Sequence, residues 1–304
     1  MRPCFFTIIE NPFSILVMDY KILETGASEG YELLDSGEGE KLERFGKVIT
    51  RRPDPQALWQ RSLNEDEWKK NHAFFTTRGG EKGEWRGNKI ENWEAKIGGL
   101  SFNLKLSAFK HVGVFPEQQP NWAWIEDKIK SSGRKTNVLN LFGYTGGATL
   151  AAAKAGAEVC HLDGSKTTIT LAKKNAETSG LSDKLIRWIL DDAIMFVKRE
   201  IKRGRKYDGI IMDPPAFGHG PNGELWKIED DLLYLIDLCQ ELLSSEPLFF
   251  IINGYASGYS ALAYENCLKG IFKDKGVIEY GELALVDKFG KRLSAGIFAR
   301  WSDK

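Results

Sequence analysis

The chain has 304 residues, 42% of them hydrophobic, enough to bury a sizeable core in one large domain or two smaller ones. Its 42 basic and 42 acidic residues cancel, which excludes a global field drawing the protein to nucleic acid or to a membrane surface. The four cysteines (Cys4, Cys160, Cys239 and Cys267) are widely spaced without a Cys-x-x-Cys pair; that argues against a metal site or a disulfide framework and suits a reducing cytosol.

The N-terminal stretch Met1 to Met18 is apolar, but Glu10, Asn11 and Pro12 interrupt it and no small-residue cleavage site follows, so it does not read as a signal peptide. No run approaches the length of a membrane span. A cytoplasmic protein with no membrane partner is expected. From Phe13 to about Lys110 short alternating runs are separated by turn signals such as Gly26, Gly37, Pro53, Gly79-Gly80 and Gly98-Gly99. This predicts an N-terminal, mostly β domain over residues 1–112, with a hairpin from Glu94 to Leu106 turning at Gly98-Gly99.

Charge is uneven within this segment: residues 10–43 hold nine acids and two bases, whereas 44–110 hold fourteen bases and eight acids. Six of the nine tryptophans precede residue 130. Trp59, Trp68, Trp85 and Trp93 are interleaved with Arg61, Lys69, Lys70, Arg78, Lys82 and Arg86. Such a mixture either makes a stacking and phosphate surface for single-stranded nucleic acid or simply builds the core of a small β domain.

A second domain, residues 113–304, opens with Gly113-Val-Phe115-Pro116-Glu117-Gln118 and an amphipathic helix from about Trp122 to Ser132. A strand beginning at Asn137 ends at Phe142. It breaks at a turn containing Gly143, Gly146 and Gly147, which leads into an alanine-rich helix. These glycines are expected to take positive φ and let the backbone approach a ligand, at a place where helix N–H groups are unpaired. The next strand runs from Ala157 to Asp163, an acid about 20 residues beyond Gly143, the spacing at which doubly wound folds bind ribose hydroxyls.

A helix at Lys166–Ser179 and a third strand at Leu185–Leu190 follow. Asp191-Asp192 then opens another helix, as a cap or as a partner for a bound base. The fourth strand, Tyr207 to Asp213, runs into the rigid turn Asp213-Pro214-Pro215-Ala216-Phe217. Beyond it come a helix at Glu229–Leu243, a strand at Leu248–Asn253, a helix at Gly258–Phe272 and a closing strand pair, Val277–Val286 and Ala295–Trp301. This alternation predicts a three-layer α/β sheet. Ligands in such sheets sit at the carboxyl ends of the strands, where Phe142, Asp163, Asp192, Asp213 and Asn253 fall.

Asn140-Leu-Phe142-Gly143-Tyr144-Thr145-Gly146-Gly147, with Asp163, Asp192 and Asp213-Pro-Pro-Ala-Phe217, resembles the class I S-adenosylmethionine-dependent methyltransferases. More narrowly, the chain from about Leu100 is similar to the bacterial 23S rRNA large-subunit cytosine-C5 methyltransferase group. The resemblance implies a Rossmann-like sheet, mostly parallel with a closing antiparallel pair, and S-adenosyl-L-methionine as cofactor. It implies that Asn140, Phe142, Gly143, Tyr144, Thr145 and Gly146 hold the methionine part, with Phe115, Glu117 and Gln118 folding against them. Asp163 would bind the ribose with Ser165 close by, and Asp192 the adenine amino group. Asp213 and the Pro214 carbonyl would accept hydrogen bonds from an exocyclic amino group while Phe217 stacks on a flipped base.

The acceptor implied is RNA, in particular ribosomal RNA. One departure stands out: the group's cysteine nucleophile falls near the end of the fifth strand, where this chain reads Ile251-Ile-Asn-Gly-Tyr255-Ala-Ser257. Cytosine-C5 chemistry needs such a thiolate, whereas transfer to an amino nitrogen, a protein or a small molecule does not. A nicotinamide-dependent oxidoreductase on the same sheet and an RNA-binding module without turnover remain as alternatives.

Overall fold

The computed structural model describes residues 20–77, 83–107, 110–255, 258–273 and 275–303. The run Met1 to Met18, Cys4, Arg78, the Gly79-Gly80 turn, Lys82, and Ala256 with Ser257 lie outside the described residues. In chain order the strands and helices are β1 Tyr20–Thr25, β2 Tyr31–Gly37, β3 Glu40–Phe45, β4 Val48–Pro53, α1 Glu65–Trp68, β5 Ala73–Thr77, β6 Gly83–Gly87, β7 Trp93–Ile97 and β8 Leu100–Leu104. A 3₁₀ turn at Pro116–Gln118 leads into α2 Gln119–Ser131, β9 Asn137–Leu141, α3 Gly147–Lys154, β10 Glu158–Asp163, α4 Lys166–Thr178, β11 Ile186–Leu190, α5 Ala193–Lys202 and β12 Gly209–Met212. The chain closes with β13 Phe217–His219, β14 Leu225–Lys227, α6 Ile228–Leu242, β15 Phe249–Gly254, α7 Ala261–Phe272, β16 Val277–Val286 and β17 Arg292–Ser302.

The central sheet has the order β1-β16-β17-β15-β12-β9-β10-β11. Its pairings are parallel except those of β17 with β15 and with β16. This is the expected Rossmann-like sheet with an antiparallel closing pair. Successive side chains on a strand face opposite ways, and the core divides accordingly. Leu139, Ile210, Phe250 and Ile252 pack with Phe196, Leu235 and Tyr264 of α5, α6 and α7. Val138, Ile211, Phe249 and Ile251 pack with Ile125 of α2 and Ala152 of α3. The sheet is therefore buried on both faces, which places any ligand at its edge.

The β-rich N-terminal segment forms a five-stranded sheet, β2 to β6, and the β7–β8 hairpin, which turns at Gly98-Gly99. Its apolar face, with Tyr31, Phe45, Trp93 and Phe102, is continuous with Trp122, Leu150 and Ala176 from α2, α3 and α4. β1 leaves this segment to pair with β16, Tyr20 opposite Tyr280.

The tryptophans belong to the core rather than to a stacking surface. Trp68 is wholly buried and Trp93 nearly so. The indole N–H groups of Trp59, Trp68, Trp85 and Trp93 all donate inside the protein, to Ser36 O, Asp35 Oδ2, Ser107 O and Phe45 O at 2.8–2.9 Å. Arg61 lies over the Trp68 ring and pairs with Glu38, Glu40 and Glu65.

Two glycines of the organising turn differ from expectation. Gly143 and Gly147 are absent from the left-handed residues, whereas Phe142, Tyr144 and Gly146 have φ of 57°, 48° and 94°. Close packing explains the two. A Cβ on Gly143 would sit 2.5 Å from the His161 ring, and one on Gly147 would overlap the Trp122 ring. At the first position of α3, Gly147→Ala would gain about 1 kcal/mol of helix propensity. We expect the clash with buried Trp122 to win, for a net loss of about 1–3 kcal/mol. Urea unfolding measures it, and an unchanged or raised midpoint would contradict this account of the turn.

Candidate functional site

The site is built at the carboxyl edge of β9, β10, β12 and β15. The chain leaves β9 at Leu141 and must reverse into α3, which it does through the left-handed residues Phe142 and Tyr144. A non-glycine residue there costs about 1–2 kcal/mol, so the turn needs external support. Tyr144 N donates to Asp163 Oδ2 at 2.9 Å, Gly143 N to Leu162 O at 2.8 Å and Gly146 N to Gly143 O at 3.0 Å. The Thr145 hydroxyl donates to Gly113 O at 2.7 Å, and the Asn175 amide donates to Thr145 O at 2.9 Å.

Beneath the turn runs a buried polar chain. Asn140 Nδ2 donates to Thr149 Oγ1 at 2.8 Å, and that hydroxyl lies 2.8 Å from His161 Nδ1. Burial pushes the His161 pKa down to about 3, so the ring is neutral and acts as the floor of the turn. Sequence reasoning missed His161 and Thr149. His161 sits in an apolar strand with no motif around it, and only the glycine at 143 hints that something lies close.

Asp163 joins the turn to the next strand. Its Oδ1 accepts from Ser165 N at 2.8 Å and from the Thr168 hydroxyl at 2.7 Å. Burial pushes this carboxyl upward, while the bonds from Thr168, Ser165 and Tyr144 pull it back. Ser165 caps α4, its hydroxyl accepting from Thr168 N. Asp192 caps α5, Oδ1 accepting from Met195 N at 2.9 Å, and its Oδ2 has no partner among the described residues. Asp191 pairs with Arg199.

Phe115, Gln118, Asn140, Phe142, Gly143, Tyr144, Thr145 and Asp213 line one cavity, together with Phe102, Val114, Trp122, Ile211 and Asn253. Of the other residues singled out in the sequence, Gly146 and Asp163 join it through the turn and Ser165 through Asp163, while Glu117, Asp192, Pro214 and Phe217 do not line it. Asp213 is half-buried at the end of β12. Burial first, and then the neighbouring Glu117 carboxylate, raise its pKa to about 7.

Glu117 is 2% exposed, burial raises its pKa as well, and its Oε1 has no hydrogen-bond partner. Leaving such an atom unsatisfied costs about 1–3 kcal/mol, so this oxygen is suited to a cationic or N–H donor from a ligand. Gln118 is held by Asn121, whose Nδ2 donates to Gln118 Oε1 and to Asn253 Oδ1, both at 3.0 Å. Arg300 donates in turn to Asn121 Oδ1 at 3.1 Å while pairing with Glu279.

The double-proline turn is anchored from behind. Pro215 O accepts from the Trp226 indole at 2.7 Å and Ala216 O from Ile228 N at 3.0 Å; the Pro214 carbonyl has no donor among the described residues. The β13–β14 hairpin carries Phe217, 56% exposed, edge-on to His219 with ring centroids 5.2 Å apart. This hairpin leans towards the end of β10: a Cβ on Gly164 would lie 3.2 Å from His219 O. Its short strands carried no sequence signal.

No described cysteine lines the cavity. Cys160 and Cys239 are buried and Cys267 half-buried. Burial pushes the Cys160 thiol up to about 11 and raises the other two, the reverse of an activated nucleophile. Among the described residues no cluster of three or more His, Cys, Asp or Glu could hold a metal, and no helix is long and apolar enough to cross a membrane.

Residues 69–269 match the model of a family described as S-adenosylmethionine-dependent methyltransferase. The ribosomal RNA large subunit methyltransferase K/L of Shewanella frigidimarina is 32% identical over 174 residues, 55% of this chain and 24% of that protein. A putative ribosomal RNA large subunit methyltransferase of Methanocaldococcus jannaschii is 32% identical over 205 residues, 63% of this chain and 48% of that protein. The chain thus spans about a quarter to a half of the length of these curated relatives. A crystal structure of a SAM-dependent methyltransferase from Agrobacterium tumefaciens is 40% identical, covers 93% of this chain and 94% of its own, and superposes with a TM-score of 0.89. These matches set aside the nicotinamide-dependent alternative.

The Asp213 pKa is directly testable by ¹³C NMR of the labelled carboxyl, with a titration midpoint near 7 expected. Glu117→Gln removes a like charge and should lower that midpoint without restoring the ordinary value, because burial remains. A group raised in this way contributes stability below its unfolded pKa and loses it as pH rises through the folded one. Stability should therefore fall between about pH 4 and pH 7 through this group. A wild-type midpoint near 4 would contradict the assignment.

Proposed function

The chain belongs to the S-adenosylmethionine-dependent methyltransferase family, and on that premise we propose that it methylates a nitrogen of an RNA base, with ribosomal RNA as the acceptor class. The acceptor is taken from the names of the curated relatives. The observation that carries the chemistry is a half-buried Asp213 carboxyl with a pKa near 7, set in a double-proline turn beside the cavity. When bound, the cofactor supplies an electrophilic methyl group on a sulfonium.

The residues suit that group. Glu117 Oε1, buried without a partner, accepts from the methionine ammonium, and the turn from Asn140 to Gly146 surrounds the methionine part. Asp163 keeps acceptor capacity beyond its three protein donors for ribose hydroxyls, since an ionised carboxylate offers about four lone-pair sites. The unpartnered Asp192 Oδ2 takes the adenine amino group. On the acceptor side, Asp213 and the Pro214 carbonyl receive hydrogen bonds from the base, and Phe217 stacks on it. Asp213 also takes the proton the nitrogen gives up, a role that a pKa near the working pH favours. The cavity positions the two reactants rather than activating them covalently.

Likeness to the cytosine-C5 group does not extend to its thiol, because Ile251 to Tyr255 lacks cysteine and burial raises the described thiols. Nitrogen is therefore the favoured acceptor atom. Within residues 1–112, β2 to β8 form the acceptor-side part in this reading, while residues 113–304 form the methyl-transfer domain, whose sheet β1 extends.

Labelled S-adenosylmethionine incubated with RNA lacking this enzyme's modification, followed by nucleoside digestion, should yield a labelled N-methyl base. Asp213→Asn should lower kcat by about 10²–10⁴-fold, with cofactor affinity little changed. Labelled 5-methylcytidine would overturn the choice of nitrogen. Label only in protein or small molecules would overturn RNA.

A further inference from the structure

A groove separate from the cavity lies at the junction of the N-terminal β segment and the central sheet. It runs between β8 and α4, with a volume of about 380 Å³, and is lined by Lys105, Lys166 and Lys174 with Asn92, Asn103, Thr167 and Thr170. Its lining contains no acid. None of the three lysines has a carboxylate partner among the described residues, whereas Lys130 and Lys154 are paired with Glu126. Lys166, Thr170 and Lys174 follow one another at i, i+4 and i+8, so they share one face of α4. The two lysines stand about 12 Å apart along that helix.

The groove is held open by rigid packing rather than by a loop. Asn103 N and Nδ2 donate to Asn175 Oδ1 at 2.8 and 3.2 Å, and Nδ2 also donates to Thr178 Oγ1 at 2.8 Å. These bonds tie β8 to α4 along the groove floor. One end of the groove, Lys166, follows directly after Asp163-Gly164-Ser165 and so adjoins the proposed nucleoside site. Lys166 and Lys174 lie along α4 with Thr170 between them, and Lys105 faces the groove from the β8 side. A single bound anion would need a convergent cluster, whereas a polyanion with regularly spaced charges fits this arrangement.

We propose that this groove carries the phosphate backbone of the RNA acceptor, with Lys105, Lys166 and Lys174 as phosphate contacts. The proposal rests on the RNA reading above and adds where the strand lies: along α4, past the cofactor's ribose end, with the target base reaching Asp213 under the β13–β14 hairpin. Net charge of zero leaves these groove lysines to supply the electrostatic attraction.

The test measures binding of ribosomal RNA fragments to the full chain and to Lys105→Gln/Lys166→Gln/Lys174→Gln between 50 and 300 mM salt, with calorimetry of S-adenosylhomocysteine alongside. Each single-strand phosphate contact contributes about 0.7 to the slope of log affinity against log salt. The triple variant should therefore lose about 2 from that slope and bind about 100-fold more weakly at 0.1 M salt, with unchanged cofactor affinity. Wild-type binding that the variant retains, with the same slope, would overturn the groove and leave the RNA reading standing. No wild-type binding to RNA, or binding only to an acidic polypeptide, would overturn both.

Discussion

Three hydrogen bonds converge on one carboxylate, that of Asp163, and the rest of the site depends on them. Tyr144 N holds one oxygen, while Ser165 N and the Thr168 hydroxyl hold the other. Each bond to a charged group contributes about 1.5–3 kcal/mol, enough to offset the roughly 1–2 kcal/mol of a left-handed Tyr144. The same carboxylate therefore sets the shape of the glycine turn and the start of α4. Because β9 and β10 are neighbours in the sheet, the turns that follow these two strands are locked to each other. Any ligand that adds a donor to Asp163 joins a network already in place.

The second constraint is electrostatic. Burial raises both the Glu117 and the Asp213 carboxyl, and the Glu117 charge adds to the rise at Asp213. Glu117 lacks a partner for one oxygen. A cationic ligand group beside it would relieve that penalty. Asn121 acts as the mechanical counterpart, joining Gln118, Asn253 and Arg300, so that the 3₁₀ turn, β15 and β17 keep one spacing.

Much of this could be read from the chain because the signals are local. Gly143 to Gly147, Asp163 and the Asp213-Pro-Pro turn each sit within a few residues of the strand end they terminate, and the alternation of strand and helix announces the sheet. What escaped reading depends on residues far apart in sequence. β1 pairs with β16 across a parallel register, Tyr20 to Tyr280, which leaves no trace in either segment. The reason for Gly143 lies in His161, and that for Gly147 in Trp122, two rings delivered by other elements. The tryptophans of the first third suit both stacking on bases and packing in a core, and their indole N–H bonds inside the protein decide for packing. Asp192 turned out to cap α5, a role its position allowed alongside ligand binding.

The proposed cofactor site stands or falls with the Asp163-braced turn. The most direct measurement is calorimetric titration of S-adenosylhomocysteine into the wild-type chain and into Asp163→Asn, with circular dichroism to confirm that both are folded. The account predicts one binding site in the wild type and an affinity at least about tenfold lower in the variant, equivalent to about 1.4 kcal/mol. Equal affinity in a folded variant would contradict it.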